Sequence, residues 1–105
     1  MGQDILTLAR KAAAKRVLFT PHALSQMSHA ERLIASDEVI RVVQTGIVIE
    51  DYPEDVRGHS CLILGFGQEN RPIHVVCAPK PDFLAIITTY LPDQIQWSAD
   101  FTKRL

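Results

Sequence analysis

Thr45-Gly46-Ile47-Val48-Ile49-Glu50-Asp51-Tyr52 is the stretch where the chain changes from one kind of structure to another. Upstream of Gly46 apolar residues recur at intervals of three and four; downstream they recur at two. Gly46 is placed to end a helix, and Ile47 to Tyr52 reads as a strand. Working back from this boundary, Ser36 is predicted to cap a helix with Asp37 and Glu38 in its first turn, where the helix dipole favours acids. Val39, Ile40, Val42 and Val43 form its buried face. Before it, Thr20 is a good N-cap and Pro21 suits the first position of another helix. Ala23, Met27, Ala30 and Ile34 supply that helix with one apolar stripe. A short strand, Val17 to Phe19, precedes it. A first helix carries Ile5, Leu8, Ala9 and Ala12 on its inner side and ends among Arg10, Lys11, Lys15 and Arg16.

Working forward, Pro53 to Gly58 is polar and turn-rich. Cys61 to Phe66 and Pro72 to Ala78 read as a hairpin around Gln68-Glu69-Asn70. Pro79 to Asp82 is a second turn, and Phe83 to Tyr90 is the most strand-like run, with Ile86, Ile87, Thr88 and Thr89 all β-branched. Pro92 ends it. Trp97 and Phe101, four apart, suggest a short amphipathic helix. The expectation is a single α+β domain over residues 1–105. Its N-terminal helices pack on a four-stranded antiparallel sheet, and a short helical tail closes the chain.

The 105 residues are 47% apolar and 22% charged, which excludes disorder and a disulfide scaffold. Eleven basic residues balance twelve acidic ones for a net charge of -1, which disfavours a protein whose whole surface grips nucleic acid. The Arg10–Arg16 cluster remains available for phosphates, although cations also belong at a helix C-terminus. No apolar run approaches the ~18 residues of a membrane span, and the N-terminus lacks a secretory layout. Cys61 and Cys77 have no metal-ligand spacing. A reduced, cytoplasmic protein without cofactor, metal or membrane partner is the expectation.

Six polar positions are candidates to carry chemistry. His22 falls in the first turn of its helix, with Gln26 and His29 on the same polar face; that face is either solvated or part of a site. A helix start offers amide N–H groups to an anion while the ring handles a proton. Arg32 neighbours His29 and is either a surface cation or a phosphate ligand. His74 interrupts Ile73-His74-Val75-Val76, so it points away from its apolar neighbours. With a two-residue hairpin turn, Gly65 lies opposite His74 and leaves space above the imidazole; the alternative is a core histidine with its hydrogen bonds satisfied. Thr88 and Tyr90 share one face of the last strand, where a phenol either moves a proton or packs at a sheet edge. Trp97 reads as a core or staple residue, and Arg71 as a turn residue or a source of charge.

Taken in order, Phe19-Thr20-Pro21-His22-Ala23, Met27, Glu38-Val39, Gly46, Glu50-Asp51-Tyr52-Pro53, Gly58 before Cys61-Leu62, Arg71-Pro72-Ile73-His74-Val75-Val76, Ile87-Thr88-Thr89-Tyr90, Pro92 and Trp97 form a series. It resembles a small bacterial domain family of unknown function grouped with the RelE/ParE/BrnT-like toxin superfamily. The resemblance implies a RelE/ParE-like fold, metal-independent RNA cleavage by 2'-OH attack, and pairing with an antitoxin protein. On that reading His22, His74 and Tyr90 are catalytic, and Arg32, Arg71 and Thr88 hold substrate. The chain departs from the pattern where Gln26, rather than an arginine, precedes Met27. A non-catalytic module that binds a protein or a small ligand is the competing function.

Overall fold

The computed structural model describes residues 4–31 and 33–105. Helix α1 (Ile5–Lys15) is capped by Asp4, whose carboxylate accepts from the Thr7 amide at 2.8 Å. Strand β1 (Val17–Phe19) leads into α2 (Pro21–Met27), where the Thr20 hydroxyl caps Ala23 and Pro21 occupies the first turn. Helix α2 stops at Met27, so Ala30 is exposed and only Ile34, brought back by turns, regains the core. Helix α3 (Ser36–Thr45) is followed by β2 (Ile47–Tyr52), β3 (Ser60–Phe66), a short 3-10 turn (Gln68–Asn70), β4 (Pro72–Pro79) and β5 (Leu84–Tyr90).

The sheet corrects the expected four antiparallel strands. It has five strands in the order β1-β5-β4-β3-β2, and β1 pairs parallel to β5, with Val17 opposite Leu84 and Phe19 opposite Ile86. The outer edge of β5 would otherwise present unpaired backbone groups. The extended segment after α1 meets them: the Leu84 amide donates to the Arg16 carbonyl at 2.8 Å and the Thr20 amide to the Ile86 carbonyl at 3.1 Å. The result is a mixed α+β sheet, and the RelE/ParE-like antiparallel arrangement falls with that pairing.

The helical tail is a second correction. From Leu91 onward the chain is a run of turns closed by an antiparallel bridge between Trp97 and Arg104. Short polar side chains take the backbone groups that a helix needs. The Asp93 carboxylate accepts from the amides of Ile95 and Gln96, and the Asp100 carboxylate from Ser98, Thr102 and its amide. Phe101 adopts a left-handed backbone (φ 65), which breaks the helical spacing to Trp97.

The three helices cover one face of the sheet. Ala9 and Ala12 of α1, Ala23 and Met27 of α2, and Val39, Val42 and Val43 of α3 meet Cys61, Ile63, Ile73, Val75, Cys77, Leu84 and Ile86. Val39, Val42 and Val43 are essentially sealed from solvent, each contributing about 1.5–3 kcal/mol of burial. Residues that alternate with these, Leu62, Leu64 and His74, face the other way. They are buried as well, and over His74 the tail lays Trp97. Among the described residues no helix is long and apolar enough to cross a membrane.

Candidate functional site

Helix α2, the end of β5 and the tail enclose a cleft of about 430 Å³. His22 and Gln26 reach it from α2, Thr88 and Tyr90 from β5, and Asp93, Gln96 and Trp97 from the tail. His22 sits in the exposed first turn of α2, one turn from Gln26, so both present to the same side. Thr88 and Tyr90 are two apart and share the sheet face opposite the helical core. Local sequence thus explains each pair, and the β1–β5 pairing brings α2 to the end of β5.

His74 does not line this cleft. Its ring is fully buried directly behind it, with Tyr90 opposite on β5 and Leu64 opposite on β3. The expected open space above the ring came from a two-residue turn that would have set Gly65 against it. The turn in fact holds the 3-10 segment, Gly65 pairs with Ile73, and its missing side chain serves α3 instead. A Cβ at Gly65 would stand 2.9 Å from the Val42 backbone. The His74 Nε2 lies 2.9 Å from the Phe101 carbonyl and its Nδ1 3.2 Å from the Tyr90 hydroxyl. The ring packs edge-on against Tyr90 and against Trp97, at 5.3 and 4.4 Å between centroids. Burial holds the imidazole pKa below its ordinary value, against the pull of the Phe101 carbonyl and the Glu50 charge. Burial likewise raises the Tyr90 phenol. At neutral pH both are uncharged.

Arg71 stands elsewhere. Its guanidinium meets the buried carboxylate of Glu38 through Nε at 3.1 Å and Nη2 at 2.8 Å, and donates to the Leu33 carbonyl at 3.0 Å. Glu38 also accepts from the amides of Ala35 and Gln68. Burial alone would raise its pKa; Arg71 and the two amides outweigh that and leave it lowered. This pair joins the start of α3 to the β3–β4 turn. Arg32 lies outside the described residues. The basic run after Arg10 has structural tasks as well: Arg10 donates to the Val43 and Gly46 carbonyls at the end of α3, and Lys15 to Pro81.

The cleft contains five lining residues that the sequence pattern does not assign to a site: Leu91, Pro92, Asp93, Gln96 and Trp97. Their signal in the sequence is faint, because the spacing of Trp97 and Phe101 suggests a helix there. The tail is also clipped down at its far end. Arg104 grips Glu50 with two hydrogen bonds, at 2.8 and 3.0 Å, and lies over the Trp97 ring at 4.8 Å. Glu50 accepts a further bond from the Tyr52 hydroxyl.

The chain belongs to a family of domains of unknown function, DUF4258, whose model matches residues 19–91. His22, Gln26, Thr88 and Tyr90 fall inside the matched region, and the tail that supplies Trp97 and Phe101 lies beyond it. No curated protein and no solved structure matches the chain.

Proposed function

We propose that the cleft is the active site of a metal-independent ribonuclease of the toxin type, which cleaves RNA by attack of a 2'-hydroxyl on the neighbouring phosphodiester. The supporting observation is the gathering of His22, Thr88 and Tyr90, from two distant segments, on one cleft of about 430 Å³. Such cleavage needs one group to accept the 2'-OH proton and another to protonate the leaving oxygen. His22, exposed and in the cleft, is the imidazole that touches substrate, and Tyr90 is the second hydroxylic group. Thr88, Gln26 and Gln96 supply neutral hydrogen-bond partners for the phosphate. Kinship with the RelE/ParE/BrnT-like toxins and a cognate antitoxin that covers the cleft belong to the same reading. Induced expression in a bacterial host tests it. Growth arrest with RNA loss is expected from the wild type and not from His22→Ala; arrest by neither protein contradicts it.

A second reading is favoured by one observation. Among the described residues that line the cleft there is no lysine or arginine, and Asp93 adds a negative charge at its rim. A phosphorane carries charge that such a wall stabilises poorly. A non-catalytic module that holds a small polar ligand by neutral hydrogen bonds fits that wall equally well. It is distinguished by saturable ligand binding with no change in the ligand.

A further inference from the structure

The hydrogen bonds behind Tyr90 have a direction. The Phe101 carbonyl can only accept, so the His74 nitrogen 2.9 Å away, Nε2, carries a proton. The ring is buried and neutral, so its other nitrogen, Nδ1, carries none and must accept. The partner of Nδ1 is the Tyr90 hydroxyl at 3.2 Å, which therefore spends its only proton inward. What remains on that oxygen for a ligand of the cleft that Tyr90 lines is a pair of lone pairs. A phosphate oxygen is a poor occupant of that spot; a ligand hydroxyl, which donates, is a good one.

We infer that Tyr90 and His74 form a proton relay that receives the 2'-hydroxyl proton of a ribonucleotide bound in the cleft. The inference rests on the ribonuclease reading above and assigns the ends of its proton transfers. The O2'–H bond breaks as a new Oη–H bond forms on Tyr90. The original Oη–H bond breaks as Nδ1–H forms on His74. The electron pair left on O2' makes the bond to phosphorus, and the P–O5' bond breaks as O5' takes a proton from the His22 imidazolium. His74 ends as a buried imidazolium held by the Phe101 carbonyl, and His22 ends neutral. Hydrolysis of the cyclic phosphate runs the same transfers backward: His22 takes the proton of the attacking water, and His74 returns its own through Tyr90 to O2'. No phenolate forms, which suits a phenol whose ionisation burial opposes. His74 never touches substrate; it is a positioning residue that acts through Tyr90. The charged or titratable groups facing it are Glu50 from β2, Tyr90 from β5 and Arg104 from the tail.

His74→Gln separates the relay from mere support, because glutamine offers one donor and one acceptor in place of the two ring nitrogens but cannot take up a proton. Expected results with the full chain are three. Nitrogen-15 NMR of the wild-type ring shows Nε2 protonated and Nδ1 bare, with the Nδ1 signal displaced in Tyr90→Phe. Cleavage of an RNA oligonucleotide falls by about a hundredfold or more in His74→Gln, while affinity for the uncleavable 2'-O-methyl analogue stays within about twofold of wild type. The acid limb of the wild-type rate profile follows the His74 titration seen by NMR and is absent from the variant. An Nδ1-protonated ring, or a His74→Gln protein with the wild-type rate and profile, overturns the relay and leaves the ribonuclease reading standing. A wild-type protein that cleaves no RNA overturns both.

Discussion

His74 shows how a residue's company decides its chemistry. Alternation along β4 told correctly that its ring points away from Ile73 and Val75. What the alternation could not tell is what covers that other face, because the cover comes from Trp97 and the Phe101 carbonyl, more than twenty residues later. A buried imidazole that is neutral in the native state makes stability depend on pH. Its unfolded pKa lies near 6.5 and its folded value below that. Between the two the unfolded chain binds more protons. The contribution of neutral His74 is therefore complete above about pH 6.5 and declines as pH falls toward the folded value. Urea midpoints measured across that interval are expected to fall for the wild type and to lose this slope in His74→Gln; equal slopes would contradict the burial argument. Glu38 acts at lower pH. Its folded pKa lies below 4.5, so the stability it supplies is present above that value and lost as pH drops through the folded one.

Among the elements, those with a strong local period were legible. The helical spacing before Gly46 and the switch to a period of two after it locate α3 and β2, and Thr20-Pro21 locates the start of α2. Strand β1 was visible as a strand but its place was not. Three residues carry no register information, and its partner β5 lies sixty-seven positions away. The tail was misread because the spacing of Trp97 and Phe101 counts only if the intervening backbone is helical, and Ser98 and Asp100 divert it. Gly65 does mark a close approach, but of Val42 rather than of a ligand above His74. Its bare backbone lets α3 approach β3, with Val42 filling the gap. Gly65→Ala is expected to destabilise the fold by about 1–3 kcal/mol. Adding Val42→Ala should recover part of the loss attributable to the valine side chain. Chemical denaturation of the single and double variants measures both, and a neutral Gly65→Ala would contradict this packing.

At the scale of the whole molecule, the helices cover one side of the sheet and the tail covers the other. The site lies where α2 and the tail meet beyond β5. Its convergence on His22, Thr88 and Tyr90 depends on tertiary pairing, although each residue type was recognisable from the sequence. Arg71, by contrast, pairs with Glu38, thirty-three positions away, a partner that no local pattern announces. The tail is fixed to the sheet at a few points: Arg104 on Glu50, Trp97 against the His74 ring, and the Phe101 carbonyl on His74 Nε2. Arg104→Ala is expected to cost only about 1 kcal/mol of global stability. It should nevertheless speed amide exchange over residues 91–105 and shift Trp97 emission to the red, with the β3–β4 amides unchanged. Uniform exchange across the chain would mean that the tail does not open separately.

Incubation of the purified protein with an end-labelled RNA oligonucleotide in excess chelator, followed by mass analysis of the fragment ends, tests the cleft most directly. Fragments ending in 2',3'-cyclic phosphate are expected from the wild type, and at least about a hundredfold less from His22→Ala. That variant should be as stable as the wild type within about 0.5 kcal/mol, since His22 is exposed. Intact RNA with the wild type, or equal cleavage by the two proteins, would contradict the ribonuclease reading.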